Sequence, residues 1–222
     1  MRELCKDMVK AFTAVFPSRE PVVEIGSLQV PGQVGFADLR PYFPGRQYIG
    51  CDMRPGPGVD RLEDVHHLTF PDGYAGTVLC IDTLEHVANP IQAVREMRRI
   101  LAADGILLLV SVFDFPIHEH PYDYWRFTPD AFWLLLEGFP VTLVGFQGHP
   151  LDPHTVAGVA SRSETHRPLF DRWVAATPQT TWLGLRQASL DRGATSGGTT
   201  RLLDRGTAGP YAEGRRASSS GG

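Results

Sequence analysis

The sequence predicts an α/β fold with a mostly parallel sheet covered by helices on both faces. Three observations carry this: short runs that are almost wholly apolar, helical periodicity between several of them, and a Gly or an acid closing each of the first three runs. A strand buried on both faces loses the alternation of a half-exposed one, and the crossovers that join parallel strands place helices over both surfaces.

The elements follow in chain order. Residues 3–16 set Leu4, Met8, Val9, Phe12 and Phe16 near helical spacing, and Pro17 ends that helix. Val22-Val23-Glu24-Ile25-Gly26 reads as a first buried strand entering a turn. Gln47 to Asp52 and Thr77 to Asp82 are two more such runs, each ending in an acid. Residues 90–101 form a strong helix, with Pro90 in its first turn and Ile91, Val94, Met97 and Leu101 on one face. Asp104-Gly105 is the expected stop, and Ile106 to Val112 the next strand. A further helix starts near Thr128-Pro129 and holds Ala131 to Leu136; strands follow over Val141 to Phe146 and Thr155 to Ala160.

Residues 1–160 are therefore read as one domain. Leu169, Phe170, Trp173, Val174 and Trp182 mark 161–186 as a partly packed extension. From 187 to 222 large apolar residues are sparse among Gly, Ser, Thr and Arg, so this stretch reads as a disordered tail that cannot offset its ordering entropy.

A chain of 222 residues with 42% hydrophobic side chains can bury a full core. Its net charge of −4 argues against a general nucleic-acid binder, so no nucleic-acid partner is expected. Cys5, Cys51 and Cys80 form no CxxC pair, and the last two fall in predicted strands, where they serve as small core residues. No apolar run approaches the ~20 residues needed to span a bilayer. The mixed-charge start of the chain is unlike a targeting segment, and a cytoplasmic location is the expectation. Nothing in the sequence indicates an oligomeric state.

In parallel sheets ligands bind beyond the carboxyl ends of the strands, so the residues there are the first candidates. Gly26, with Ser27 after it, lets the backbone turn tightly beside a ligand. Asp52, followed by Met53, is placed to accept the two hydroxyls of a ribose; its competing reading is a turn former. Asp64 can accept an adenine amino group while the N–H of Val65 serves a ring nitrogen; its competing reading is a solvated loop acid.

Residues 22–128 resemble the class I S-adenosylmethionine-dependent methyltransferases, in particular the broad group called type 11. The resemblance rests on Glu24-Ile25-Gly26, Asp52, and Asp64 before Leu68-Thr69-Phe70-Pro71-Asp72-Gly73. It rests also on Asp82-Thr83-Leu84-Glu85-His86-Val87 and on Leu101-Ala102-Ala103-Asp104-Gly105-Ile106-Leu107-Leu108-Leu109. It implies a Rossmann-like methyltransferase fold, with a seven-stranded sheet whose last strand runs antiparallel, and S-adenosyl-L-methionine as cofactor. It further implies that Gly26 serves the cofactor's amino-acid end, Asp52 the ribose, and Asp64 with Val65 the adenine. Ile81 and Asp82 would line the methyl-donor pocket, and Glu24 would orient the glycine loop. Two departures stand out: the glycine loop is lengthened to Gly26-Ser27-Leu28-Gln29-Val30-Pro31-Gly32, and Ala75-Gly76 replaces the usual Phe-Asp before the fourth strand.

A nicotinamide oxidoreductase is the main competitor, but it would show G-x-G-x-x-G opening a helix beneath a pyrophosphate, and that pattern is absent. A non-catalytic S-adenosylmethionine-binding protein is the other alternative.

The segment from Phe113 to Thr128 crowds aromatics, histidines and acids directly after a strand, which places it toward the acceptor, read as a small molecule such as a sugar, lipid-linked glycan or secondary metabolite. Neutral His suits proton abstraction near pH 7, so His118 and His86 are the catalytic candidates, each with a structural role as the alternative. Tyr122, Tyr124 and Trp125 can wall an acceptor or simply anchor the loop. Arg126 can grip an anionic group or pair with Asp123 or Glu85. The spacing of His118-Glu119-His120 fits a metal, but a loop offers no fixed geometry, so no metal is expected.

Overall fold

The computed structural model describes residues 1–118 and 121–187. The tail read from 187 onward thus lies, past its first residue, outside the described residues, as do Glu119 and His120.

Among the described residues one sheet holds eight strands: β1 (Val22–Ile25), β2 (Tyr48–Asp52), β3 (Arg61–Leu62), β4 (Ala75–Ile81), β5 (Leu101–Val112), β6 (Val141–His149), β7 (Asp152–Ser161) and β8 (Thr181–Gln187). Their order is β3-β2-β1-β4-β5-β7-β6-β8. The first five are parallel neighbours. β7 returns antiparallel between β5 and β6, as a strand joined to β6 by a tight hairpin must, and β8 runs antiparallel along the outer edge of β6. The mostly parallel sheet with its reversal is therefore present, with eight strands where seven were expected. The additional strand lies in the stretch read as a partly packed extension. At a sheet edge, Thr181 and Leu183 are exposed while Trp182 is buried, too short an alternation to stand out in a sequence.

Alternate side chains of the central strands point to opposite layers. Val23, Val78, Cys80, Leu107 and Leu109 pack with residues of α2 (Pro90–Ile100) and α3 (Pro129–Leu135). Val22, Leu79, Ile106, Leu108 and Val110 pack with residues of α1 (Glu3–Val15) and α4 (Arg167–Ala176). Cys5, Cys51 and Cys80 are buried free thiols. No described helix is long and apolar enough to cross a membrane.

Helix starts follow local chemistry. Asn89 caps α2 by accepting the Gln92 N–H at 3.1 Å, and Thr128 caps α3 by accepting the Ala131 N–H at 3.2 Å. Two details differ from expectation. The buried face of α2 is Pro90, Ala93, Val94, Met97 and Ile100, leaving Ile91 exposed. The helix also stops at Ile100, because Leu101 already pairs with Ala75 of β4; Ile106 then pairs with Thr77, and the residues between, Asp104 and Gly105 included, bulge within β5.

Between β1 and β2 the described residues contain no α-helix, only a 3-10 turn at Arg40–Tyr42. α1 fills that side: its Met8, Val9 and Phe12 share a cluster with Val22, Leu39 and Phe43. Arg40 fixes the long loop by donating to the Gly58 carbonyl at 2.8 Å and to Asp60 at 2.6 Å.

Candidate active site

Parallel pairing places Ile25 opposite both Cys51 and Cys80, so β1, β2 and β4 end side by side. A cavity of about 530 Å³ opens at these ends, within the range usual for small-molecule sites. Glu24, Gly26, Ser27, Asp52 and Met53 line it from the first two strands. Asp64 and Val65 line it from the next loop, Ile81 and Asp82 from the end of β4, and His86 and His118 from the following segments. Tyr122, Tyr124, Trp125 and Arg126 stand outside this lining, next to Pro121, which belongs to it.

Gly26 has φ of +81°, and a Cβ there would lie 2.1 Å from Thr83 Oγ1. Its N–H and that of Ser27 both donate to the Cys51 carbonyl, at 2.8 and 3.0 Å, which folds the loop over the end of β2. Gly26→Ala is expected to cost about 2 kcal/mol through backbone strain and the Thr83 clash, lowering the unfolding temperature by several degrees in a thermal scan. Ser27 Oγ is buried and has no hydrogen-bond partner, so a polar ligand group in the cavity would satisfy it.

Asp52 presents a mostly buried carboxylate, one oxygen of which accepts the Arg54 N–H at 3.0 Å. Asp64 is exposed, and its Oδ1 meets the N–H of His66 at 2.9 Å and that ring's Nδ1 at 2.7 Å. The backbone N–H of His66, first, and its ring hold the Asp64 carboxyl below its ordinary range. Beside it, buried Glu63 accepts from Thr69 N–H at 2.8 Å and Thr69 Oγ1 at 2.6 Å, which shapes the loop that carries Asp64 and Val65.

Glu24 is buried and accepts the Tyr48 hydroxyl at 2.6 Å. Burial pushes its carboxyl up to about 7, against the opposing pull of that hydrogen bond. A glutamate raised from 4.5 in this way contributes its full stability below pH 4.5 and loses it as the pH rises through 7. Glu24→Gln keeps an acceptor for Tyr48 and removes the loss. It should match wild type near pH 4.5 and exceed it at pH 8 by about 2–3 kcal/mol in urea titrations; equal differences at both pH values would refute the assignment.

Asp82 follows the last residue of β4 with φ of +45°, a conformation that L-residues seldom adopt and that clusters at functional sites. Its N–H donates to Val110 at 2.9 Å, and its Oδ1 accepts from Arg2 Nη2 at 2.6 Å. Arg2 also reaches Thr155 Oγ1 at 2.6 Å and itself lines the cavity. No local pattern announces Arg2, whose partners lie far along the chain.

Glu85, part of the Asp82–Val87 motif and named in the sequence as a possible partner for Arg126, is completely buried. Its Oε2 accepts the Ser111 hydroxyl at 2.6 Å, while Oε1 has no hydrogen-bond partner. Burial, reinforced by the charge of Asp82, raises its carboxyl to about 7. The rings of His86 and His118 meet edge to face at 4.7 Å. Arg126 instead grips Asp123 with two bonds of 2.6 and 2.8 Å and donates to the carbonyls of Phe115 and Pro116. These bonds hold the Asp123 carboxyl well below the usual carboxylate range. Trp125 donates from Nε1 to the Val87 carbonyl at 2.8 Å. Tyr122 and Tyr124 are exposed, with ring centroids 5.7 Å apart.

Residues 38–109, about a third of the chain, match the methyltransferase domain family model. This match and the shared fold support a class I S-adenosylmethionine-dependent methyltransferase. The match begins beyond β1, after the lengthened glycine loop that departs from the family pattern. Solved structures share the fold. One is a methyltransferase from Archaeoglobus fulgidus, 15% identical, with a TM-score of 0.57 over 72% of this chain and 94% of that one. Another, from Thermotoga maritima, is 17% identical, with a TM-score of 0.51 over 72% of this chain and 89% of that one. No curated protein sequence matches the chain. The family match implies S-adenosyl-L-methionine as cofactor, and the unpartnered Ser27 hydroxyl in the cavity lining is chemically suited to its polar groups.

Proposed function

We propose that this methyltransferase methylates an oxygen of a small-molecule acceptor such as a sugar, a lipid-linked glycan or a secondary metabolite. The observation that carries the reading is that one cavity is lined both by the strand-end acids and by His86 and His118. When bound, S-adenosylmethionine supplies an electrophilic methyl group on a sulfonium sulfur.

In this reading Glu24 orients the glycine loop, Gly26 and Ser27 hold the amino-acid end, and Asp52 and Met53 meet the ribose. Asp64 and Val65 take the adenine, and Ile81 and Asp82 border the reacting methyl. His118 and His86 handle the acceptor hydroxyl, whose proton must leave before or as its oxygen attacks. Tyr122 and Tyr124 offer an aromatic surface to the acceptor, while Trp125 and Arg126 hold the segment in shape. Fixing acceptor and methyl in line is the main rate contribution open to such a site, about 7–11 kcal/mol. The chain's net charge of −4 favours a small acceptor over a polyanion.

Incubation with methyl-labelled S-adenosylmethionine and a panel of polyols, glycans and amines should label a hydroxyl-bearing acceptor. Label found only in amines, protein or nucleic acid would overturn the proposal.

A further inference from the structure

We propose that Glu85, His86 and His118 form a site for a divalent first-row transition cation, whose remaining positions take the acceptor's oxygen; this rests on the reading of the cavity as a methyl-transfer site. The sequence directed attention to His118-Glu119-His120. Glu119 and His120 lie outside the described residues; among those described, the fold brings Glu85 and His86, from the turn after β4, to His118, from the segment after β5.

A potential ligand atom from each of the three lies within 4.8 Å of the others. Metal–ligand bonds of about 2.1 Å set ligand atoms about 3–4 Å apart, so shifts of about an ångström close the trio on a cation. Glu85 Oε1 is the second observation: it belongs to a fully buried side chain and has no hydrogen-bond partner. Burying a carboxylate oxygen without a partner is costly, and a cation removes that cost.

The histidines are prepared in the manner of metal ligands. His86 Nδ1 lies 2.5 Å from the Tyr122 carbonyl, which can only accept, so Nδ1 carries the hydrogen. His118 Nδ1 lies 3.1 Å from the Pro116 carbonyl and 3.2 Å from the Asp123 carboxylate, acceptors again. With Nδ1 donating in each ring, the neutral form of each carries its lone pair on Nε2. A carbonyl or carboxylate fixing the far nitrogen is the usual arrangement behind a ligating imidazole.

The surrounding charges are compatible. Arg2 lies near Glu85, but its guanidinium bonds go to Asp82 and Thr155. Arg126 is held by Asp123. Two imidazoles and one carboxylate suit Fe²⁺, Co²⁺ or Zn²⁺ and leave positions open. An acceptor hydroxyl bound there becomes more acidic and loses its proton to solvent. Its oxygen then forms the bond to the methyl carbon as the carbon–sulfur bond breaks, with the electron pair passing to sulfur; the cation keeps its oxidation state.

The test is titration of the chelator-treated full chain with Co²⁺ alone, followed by calorimetry and visible absorption. One equivalent should bind and give the ligand-field bands of nitrogen and oxygen coordination. Glu85→Gln and His118→Gln should each weaken binding by about 100-fold or more, since even groups behind a ligand contribute about 10–100-fold. His118 lies on a loop, so its variant decides the matter if the buried Glu85→Gln protein does not fold. Absence of Co²⁺ binding by wild type, or wild-type binding by His118→Gln, would overturn the site. S-Adenosylhomocysteine titrated into the same proteins separates the two readings. Its binding without Co²⁺ binding removes only the cation site, whereas its failure to bind wild type removes the reading of the cavity itself.

Discussion

Asp52→Ala is expected to weaken binding of S-adenosylhomocysteine by about 10- to 150-fold for each charge-assisted hydrogen bond lost, with little change in stability. The asymmetry follows from what the side chain does in the fold. Its carboxylate lines the cavity at the end of β2, yet among the described residues the backbone group it holds is the Arg54 N–H at 3.0 Å. Removing it therefore deprives a ligand of an acceptor while leaving the sheet pairing of β2 intact. Asp52→Asn retains one neutral acceptor and should fall between the two. Calorimetry measures the affinities and a denaturant titration the stability. Undiminished affinity in Asp52→Ala, in a folded protein, would remove Asp52 from the cofactor site.

Trp173→Ala is expected to give the largest loss of stability, about 3–5 kcal/mol, with an unfolding temperature about 10 °C lower or more. Trp173 is fully buried, with ring centroids 6.2 Å from Phe12, 5.8 Å from Phe16 and 5.8 Å from Trp182. It thus joins α1, α4 and β8 in one aromatic cluster. Its Nε1 is buried without a hydrogen-bond partner, so Trp173→Phe sacrifices volume but no hydrogen bond and should cost less. Thermal scans of both variants check the order. An unchanged unfolding temperature in Trp173→Ala would mean that α4 and β8 do not belong to the cooperative core.

Much of this architecture was legible in the residues. Val22–Ile25, Tyr48–Asp52 and Ala75–Ile81 are strands whose apolar runs admit little else, and Asn89-Pro90 and Thr128-Pro129 announce helix starts. Asp52 and Asp82, which line the cavity, stood out for the same reason, since each closes an apolar run. What escaped notice depended on partners distant in sequence. Leu101 has helical character from its neighbours, yet β4 captures it through Ala75. Ile91 fits a helical stripe, but the sheet receives the stripe one position further round. β8 alternates only over exposed Thr181, buried Trp182 and exposed Leu183, and becomes a strand because β6 offers it an edge.

The strand-end acids show where the division falls. By itself the sequence determined that Asp52 and Asp82 follow apolar runs and that a parallel sheet would gather such residues at one end. Hydrophobic patterning is local and repeats along the chain, so it can be read without coordinates. Asp52 and Asp64 each meet a group two residues on, Arg54 and His66, whereas only the tertiary structure decided that Asp82 meets Arg2. Only it decided that, among the described residues, Glu85 stands with His86 and His118. Such contacts depend on distance and burial between segments that pair through the sheet. Those quantities come into existence only when the chain has closed its core.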